Sequence, residues 1–257
     1  MSSHLLLSIL ANLALGGLLG AVGGLFGIGG GLIAIPVLGF FYGMDQQLAQ
    51  GTAMVMIAPN VVIGFWRYRQ RNDIEWSAAA YLGIPAVVIT YFAARFASGL
   101  NAATLHFAFA VFIALLALYL LWSLWASLHR HQSARPRIVL PKKYLSLVGA
   151  VGGATSGFFS VGGGIVSVPT LVAFFGASQT AAQGLGLALV TPGTLIALWT
   201  YAHAGHVDWL VGAPLAIGGV LSISTGVALA HSLPERRLRV LFCAALILLA
   251  FWMMIHG

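Results

Sequence analysis

Two glycine triplets carry the chemistry open to this sequence. Gly29-Gly30-Gly31 precedes an apolar run with Pro36, and Gly162-Gly163-Gly164 precedes one with Pro169. Glycine has no Cβ, so the chain can leave helical geometry there and another group can come close. A helix that restarts after such a break exposes its first unpaired N–H groups. These groups and the helix dipole attract an anion, by about 0.3–1 kcal/mol at a surface and up to ~2 kcal/mol when partly buried. The polar residues that accompany the triplets are neutral. Gln50, Thr52, Asn60, Ser156, Ser160, Gln183 and Thr191 are candidate substrate contacts, with Gly27 beside the first triplet. Gln46, Thr155 and Gln179 are further candidates for the lining. No Asp, Glu, Lys or Arg lies in 5–43 or in 144–202. Intramembrane carboxylates are the usual mark of cation or proton pathways. This set therefore suits a small anion and is poorly suited to a metal ion. Within the apolar segments there is no nucleophile–base pair or carboxylate pair, so an enzyme is not expected.

Each of these residues also has a plainer reading. Glycines in membrane helices let helices pack closely. Two triplets with proline at the same downstream distance favour breaks over packing alone. Pro36 and Pro169 are read with the breaks, while Pro59 and Pro192 are either kinks or a second pair of breaks. The glutamines lie near segment starts, where interfacial hydrogen bonding and substrate contact are equally open. Trp66, Trp76, Trp199 and Trp209 suit an interfacial belt. His203, His206 and Asp208 form a loop cluster without further ligands, which suits solvent better than a metal site. His106 reads as a buried, satisfied side chain. No metal and no cofactor are expected.

The elements that must position these groups come in two copies. Gly24-Leu-Phe-Gly-Ile-Gly-Gly-Gly-Leu-Ile-Ala-Ile-Pro36 matches Gly157-Phe-Phe-Ser-Val-Gly-Gly-Gly-Ile-Val-Ser-Val-Pro169, an offset of 133 residues. The offset holds without a gap for Gln46/Gln179, Gln50/Gln183, Gly51/Gly184, Pro59/Pro192, Trp66/Trp199, Tyr68/Tyr201, Trp76/Trp209 and Phe109/Phe242. Duplication around a glycine break is a common build of membrane transporters. Composition points the same way. The chain is 60% hydrophobic and 7% charged, against roughly 25% charged in a soluble domain. Its mean hydropathy is +0.97.

Apolar segments lie at 5–26, 30–43, 47–66, 77–98, 102–128, 144–159, 163–176, 180–202, 209–231 and 238–256. The second and seventh are about half a bilayer long. Unbroken apolar runs choose helices over a β-barrel. The expected fold is an all-α polytopic membrane protein. Its parts are a first repeat at 1–128, a basic cytoplasmic linker at 129–143 and a second repeat at 144–257. Each repeat has a Gly-broken helical hairpin plus three transmembrane helices. Cys243 is the only cysteine, so an intrachain disulfide is excluded. Met1–Ser8 carries no Lys or Arg, which favours a first membrane segment over a cleaved signal peptide.

The net charge of +7 is concentrated in Arg67/Arg69/Arg71, the run from Arg130 to Lys143, and Arg236/Arg237/Arg239. These are topology signals that face lipid headgroups, so no nucleic-acid partner is expected. In the first repeat the loop after the third segment is basic. In the second repeat it is the loop after the fourth. Under the positive-inside rule the two repeats are then inverted, and both termini are extracytoplasmic. One continuous crossing per glycine segment is the alternative and gives parallel repeats.

At these residues the chain resembles the TauE/SafE family of sulfite exporter-like permeases. The resemblance covers the whole chain. It rests on Gly-Gly-x-x-Gly-Ile-Gly-Gly-Gly-x-x-x-x-Pro at Gly23–Pro36, its counterpart at Gly153–Pro169 with Ser160 in place of Gly27, and Gln-x-x-x-Gln-Gly at Gln46–Gly51 and Gln179–Gly184. It implies a secondary transporter of anions in the inner membrane, typically of sulfite or organosulfonates such as sulfoacetate. Export is the favoured direction here, although uptake also occurs in the family. The expected partners are the lipid bilayer and a small anionic substrate. A homodimer stays open, because glycine faces serve internal packing and dimers equally. The competing expectation is a passive channel for anions or small solutes.

Overall fold

The computed structural model describes residues 3–26, 29–71, 75–129 and 140–234, together with 237, 238, 240, 241, 244, 245, 247, 248 and 251. Gly27, Arg236, Arg239, Cys243 and most of the linker lie outside the described residues, as does the side chain of Gln179. The described helices are α1 (Ser3–Phe26), α2 (Gly31–Tyr42), α3 (Gln46–Arg71), α4 (Trp76–Ser98), α5 (Ala102–His129), α6 (Leu145–Phe159), α7 (Gly164–Phe175), α8 (Gln179–His203) and α9 (Trp209–Ser232). A single 3₁₀ turn, Lys142–Tyr144, precedes α6. Six of these helices are long and apolar enough to cross a membrane. α2 and α7 have twelve residues each, about 18 Å of helix against a hydrocarbon core of roughly 30 Å.

Two expectations change. α3 continues through Arg71, so Arg67 and Arg69 stand on its last turns and not in a loop. Cations at a helix C-terminus complement its dipole, and the Arg69 guanidinium lies 4.2 Å from the Trp76 ring centroid. The prolines are not breaks. α2, α3, α7 and α8 run through Pro36, Pro59, Pro169 and Pro192. A proline removes one intrahelical hydrogen bond, which packed neighbouring helices can tolerate in a membrane. The interruptions lie at the glycines, where φ is +71° and +90° at Gly29 and Gly30 and +79° at Gly162.

The chain doubles back at each break. Tyr42 Oη donates to Asn12 Oδ1. A Cβ on Gly30 would sit 2.7 Å from the Leu19 carbonyl oxygen. Position 12 thus opposes 42 and 19 opposes 30, so α2 runs antiparallel to α1 as a hairpin. In the second half, Gly163 is pressed on the Gly152 carbonyl.

Close-packed seams then lock each hairpin to a helix of the other half. Gly16, Gly20 and Gly24 of α1 lie on Leu215, Gly219 and Ile223 of α9. Gly149, Gly153 and Gly157 of α6 lie on Leu82, Ala86 and Thr90 of α4. Backbones approach this closely only where no side chain intervenes. Each of these three contacts in one seam has its counterpart 133 residues away in the other. At the centre, Thr191 Oγ1 of α8 reaches the Val61 carbonyl of α3 at 3.3 Å, and Gly64 lies against Leu187. α3 and α8 are therefore antiparallel. α1 runs with α3, because both run with α9: Gly16 and Gly24 meet Leu215 and Ile223, while Val55 and Asn60 meet Gly212 and Gly219. α6 runs with α8, because Gly152 meets Leu189 while Gly193 meets Ser156. The two halves point in opposite directions.

The surface is apolar and the interior holds the polar groups. Leu7, Leu18, Phe92, Phe107 and Leu221 face outward, while Gln50, Thr52, Asn60, Thr90, Ser160, Ser167 and Gln183 are buried. Trp66, Trp76, Trp199 and Trp209 are each more than half exposed, as a belt requires. Lys142 Nζ lies 2.6 Å from both Glu75 carboxylate oxygens, which places the α3–α4 turn beside the end of the linker. Hydrogen bonds from Lys142 and Ser77 hold the Glu75 carboxyl below the usual carboxylate range. Because the folded value is depressed, this contact contributes at neutral pH and is lost as pH falls through the lowered value. The pair is exposed, so Glu75→Gln should leave the thermal midpoint nearly unchanged at neutral pH. A large drop, read by thermal unfolding in detergent, would show that this contact holds the linker in place.

Candidate functional site

The two breaks meet at the centre of the molecule. A Cβ on Gly31, the first residue of α2, would lie 3.0 Å from the carbonyl oxygen of Ser160 in the other hairpin. Gly29 and Gly31 also rest on Ile57 of α3, and Gly29 on Val61. Neither α2 nor α7 has a side-chain cap at its first turn. The outer helix starts differ. Ser178 accepts from Ala181 N at the head of α8, and Asp208 accepts from Leu210 N and Val211 N at the head of α9. Leading N–H groups are left without side-chain caps where the hairpins converge, as they also are at the heads of α4 and α6.

Two tyrosine–glutamine pairs cross between the halves beside the breaks. Tyr201 Oη of α8 donates to Gln50 Oε1 of α3 at 2.6 Å. Tyr68 Oη of α3 lies 3.1 Å from Gln183 Oε1 of α8 and 3.1 Å from the Gly24 carbonyl. Gln183 Nε2 donates to the Phe26 carbonyl at 3.3 Å. All four side chains are buried. The tyrosines were not among the sequence candidates, although their repeat at the 133-residue offset was the signal that marked them.

The other candidates divide. Gln50, Ser160 and Gln183 are drawn to the breaks. Thr52 accepts from Asp208 N and so serves the α8–α9 turn. Thr191 spends its hydroxyl on the Val61 and Leu187 carbonyls. Asn60 is buried beside Gly219, and neither its Oδ1 nor its Nδ2 has a partner. Ser156 is buried without a partner near Gly193 and Thr90. Thr155 bonds within its own helix. Gln46 meets His106 Nδ1 at 3.2 Å. His203 Nδ1 lies 2.8 Å from the Trp199 carbonyl, and Asp208 is a helix cap. Among the described residues no Asp, Glu, Lys or Arg is buried, and no group of three or more His, Cys, Asp or Glu is placed to hold a metal ion.

The sequence that builds these breaks matches a known family over nearly the whole chain. The model of the sulfite exporter TauE/SafE family covers residues 12–253. The chain belongs to the TauE/SafE family. A "Probable membrane transporter protein" of Xylella fastidiosa (strain 9a5c) is 26% identical over 226 residues, 87% of this chain and 85% of the relative. A similarly named protein of Methanocaldococcus jannaschii is 27% identical over 237 residues, 87% and 86% of the two chains. No solved structure matches. The TauE/SafE chain described here is thus a multi-pass membrane transporter. Its family motif coincides with the two points where α2 and α7 restart.

Proposed function

We propose that this transporter carries small anions, sulfite or organosulfonates foremost, as a secondary carrier of the inner membrane, with export the favoured direction. The observation that carries the reading is the meeting of the two glycine breaks, with Gly31 at the uncapped start of α2 against the Ser160 carbonyl, among buried neutral donors and, among the described residues, without a buried carboxylate. Dipoles and N–H groups can replace an anion's water shell without a fixed cation. Opposed halves locked by reciprocal seams are the build of inverted-repeat carriers, in which one bundle rocks against the other around a mid-membrane site. In this reading the α3–α4 turn and the linker face the cytoplasm, and the Glu75–Lys142 ion pair supports placing the turn and the end of the linker on one side.

Labelled sulfite counterflow in proteoliposomes tests the reading, with sulfoacetate, sulfate and thiosulfate as competitors. Saturable counterflow inhibited by the sulfonate is the expected result. Uptake that only follows the gradient, without saturation or counterflow, would make the protein a channel. No flux of any kind would remove sulfur anions as substrates.

A further inference from the structure

The crossed tyrosine–glutamine pairs are related by the 133-residue offset, yet they are not equivalent. At the first hairpin both polar atoms of Gln183 have partners, and Tyr68 is bound to Gln183 and to the Gly24 carbonyl. At the second hairpin the Gln50 carboxamide oxygen is taken by Tyr201, but its Nε2 has no partner and the residue is fully buried. Ser160 lies beside the Tyr201 hydroxyl, near enough to interact with it, is itself fully buried, and its Oγ has no hydrogen-bond partner within 3.5 Å. A buried donor left unpaired costs about 1–3 kcal/mol, so two at one point need an explanation.

Ser160 supplies a second, independent sign. It ends α6 at φ +57°, the only non-glycine with positive φ among the described residues. That position at a helix end is ordinarily glycine, and the aligned residue of the first repeat is Gly27. A side chain held where glycine would be more comfortable points to a use for its hydroxyl.

We propose that Ser160 of the second hairpin, Gln50 and the uncapped start of α2 form a single oxyanion-binding site, while the Tyr68–Gln183 pair is a closed contact that does not touch the anion. Tyr201 is a positioning residue. By holding Gln50 Oε1, it turns the Nε2 donor away from itself and leaves it for the ligand. The site takes a tetrahedral or pyramidal sulfur oxyanion, whose several oxygens can accept from Ser160 Oγ, Gln50 Nε2 and the backbone N–H groups of α2 together. The substrate class rests on the transport reading above, whereas the asymmetry rests on the hydrogen bonds alone.

The test uses purified full-length protein. Thermal unfolding is followed with sulfite, methanesulfonate or chloride present, and counterflow is measured in parallel. Ser160→Gly is the decisive variant, because it relieves the backbone while deleting the hydroxyl. It should unfold at the same temperature as wild type or higher without anion. It should lose most of the sulfite-induced stabilisation and need about tenfold more sulfite for half-saturation, the loss of one hydrogen bond to a charged group. Gln50→Ala should also lose the stabilisation, and Tyr68→Phe should keep it. Full anion stabilisation in Ser160→Gly and Gln50→Ala would overturn the site. Equal losses in Ser160→Gly and Tyr68→Phe would overturn its asymmetry, and no stabilisation of wild type by either sulfur anion would overturn it outright. Stabilisation lost only in Ser160→Gly and Gln50→Ala, with no counterflow in wild type, would keep the site and refute the carrier.

Discussion

Gly30→Val and Gly163→Val are expected to abolish sulfite counterflow while the protein still reaches the membrane. At Gly30 the backbone has φ +90°. A β-branched residue there costs on the order of 1–3 kcal/mol in strain alone. Its Cβ would also lie 2.7 Å from the Leu19 carbonyl oxygen. At Gly163 the backbone is ordinary, φ −62°, so the obstacle is space. The new Cβ would stand 2.2 Å from the Gly152 oxygen and 2.6 Å from its Cα. Both atoms are backbone and cannot swing aside, so the hairpin must open or α6 must shift. Either movement displaces the start of α7 by a distance comparable to a hydrogen bond. The outer apolar faces that drive insertion are untouched. The check is counterflow together with membrane yield and a monodisperse elution profile. Normal counterflow by both variants would remove the breaks from the transport mechanism.

The seams between the halves should be less forgiving still. A Cβ at Gly218 would lie 2.0 Å from the Leu13 carbonyl oxygen, and one at Gly226 2.0 Å from the Ala21 oxygen. Gly218→Val or Gly226→Val should wedge α1 away from α9 and destabilise the fold by about 3 kcal/mol or more, beyond a usual overpacking cost. Association of membrane helices relies on close van der Waals contact, so a separated seam has little to replace what it loses. Gly83→Ala is the matched control. It lies in α4 on an apolar groove of about 490 Å³ bordered by Trp76 and Pro192, with no atom within 4 Å of its added methyl. Alanine there should stabilise by about 0.5–1 kcal/mol through helix propensity. Thermal unfolding in detergent separates the two cases. A Gly218→Val protein as stable as wild type would mean that the seam is not close-packed in the membrane.

Much of this molecule is legible without coordinates because it is local. Helix lengths follow from apolar runs that must satisfy every backbone group inside lipid. The breaks follow from the triplets, since only glycine accepts φ near +70° to +90° freely. Trp76 and Trp209 begin helices at the expected positions, and the family follows from the same motif. Pro59 and Pro192 were ambiguous because a proline removes one hydrogen bond whether the helix bends or ends. Only neighbouring helices decide which.

What the sequence by itself determined, then, is the set of elements, the recurrence of the glycine motif at an offset of 133 residues and the neutral character of the residues around the breaks. Which glycine meets which carbonyl was decided only by the tertiary structure. Leu215 belongs to Gly16, and Gln50 to Tyr201, across separations in the chain that no periodicity reaches. The same is true of the asymmetry at the centre. Gln50 and Gln183 occupy matching places in the two repeats. Yet one amide nitrogen finds the Phe26 carbonyl and the other finds no partner, because hydrogen bonds are made between surfaces that come together only when the two halves pack.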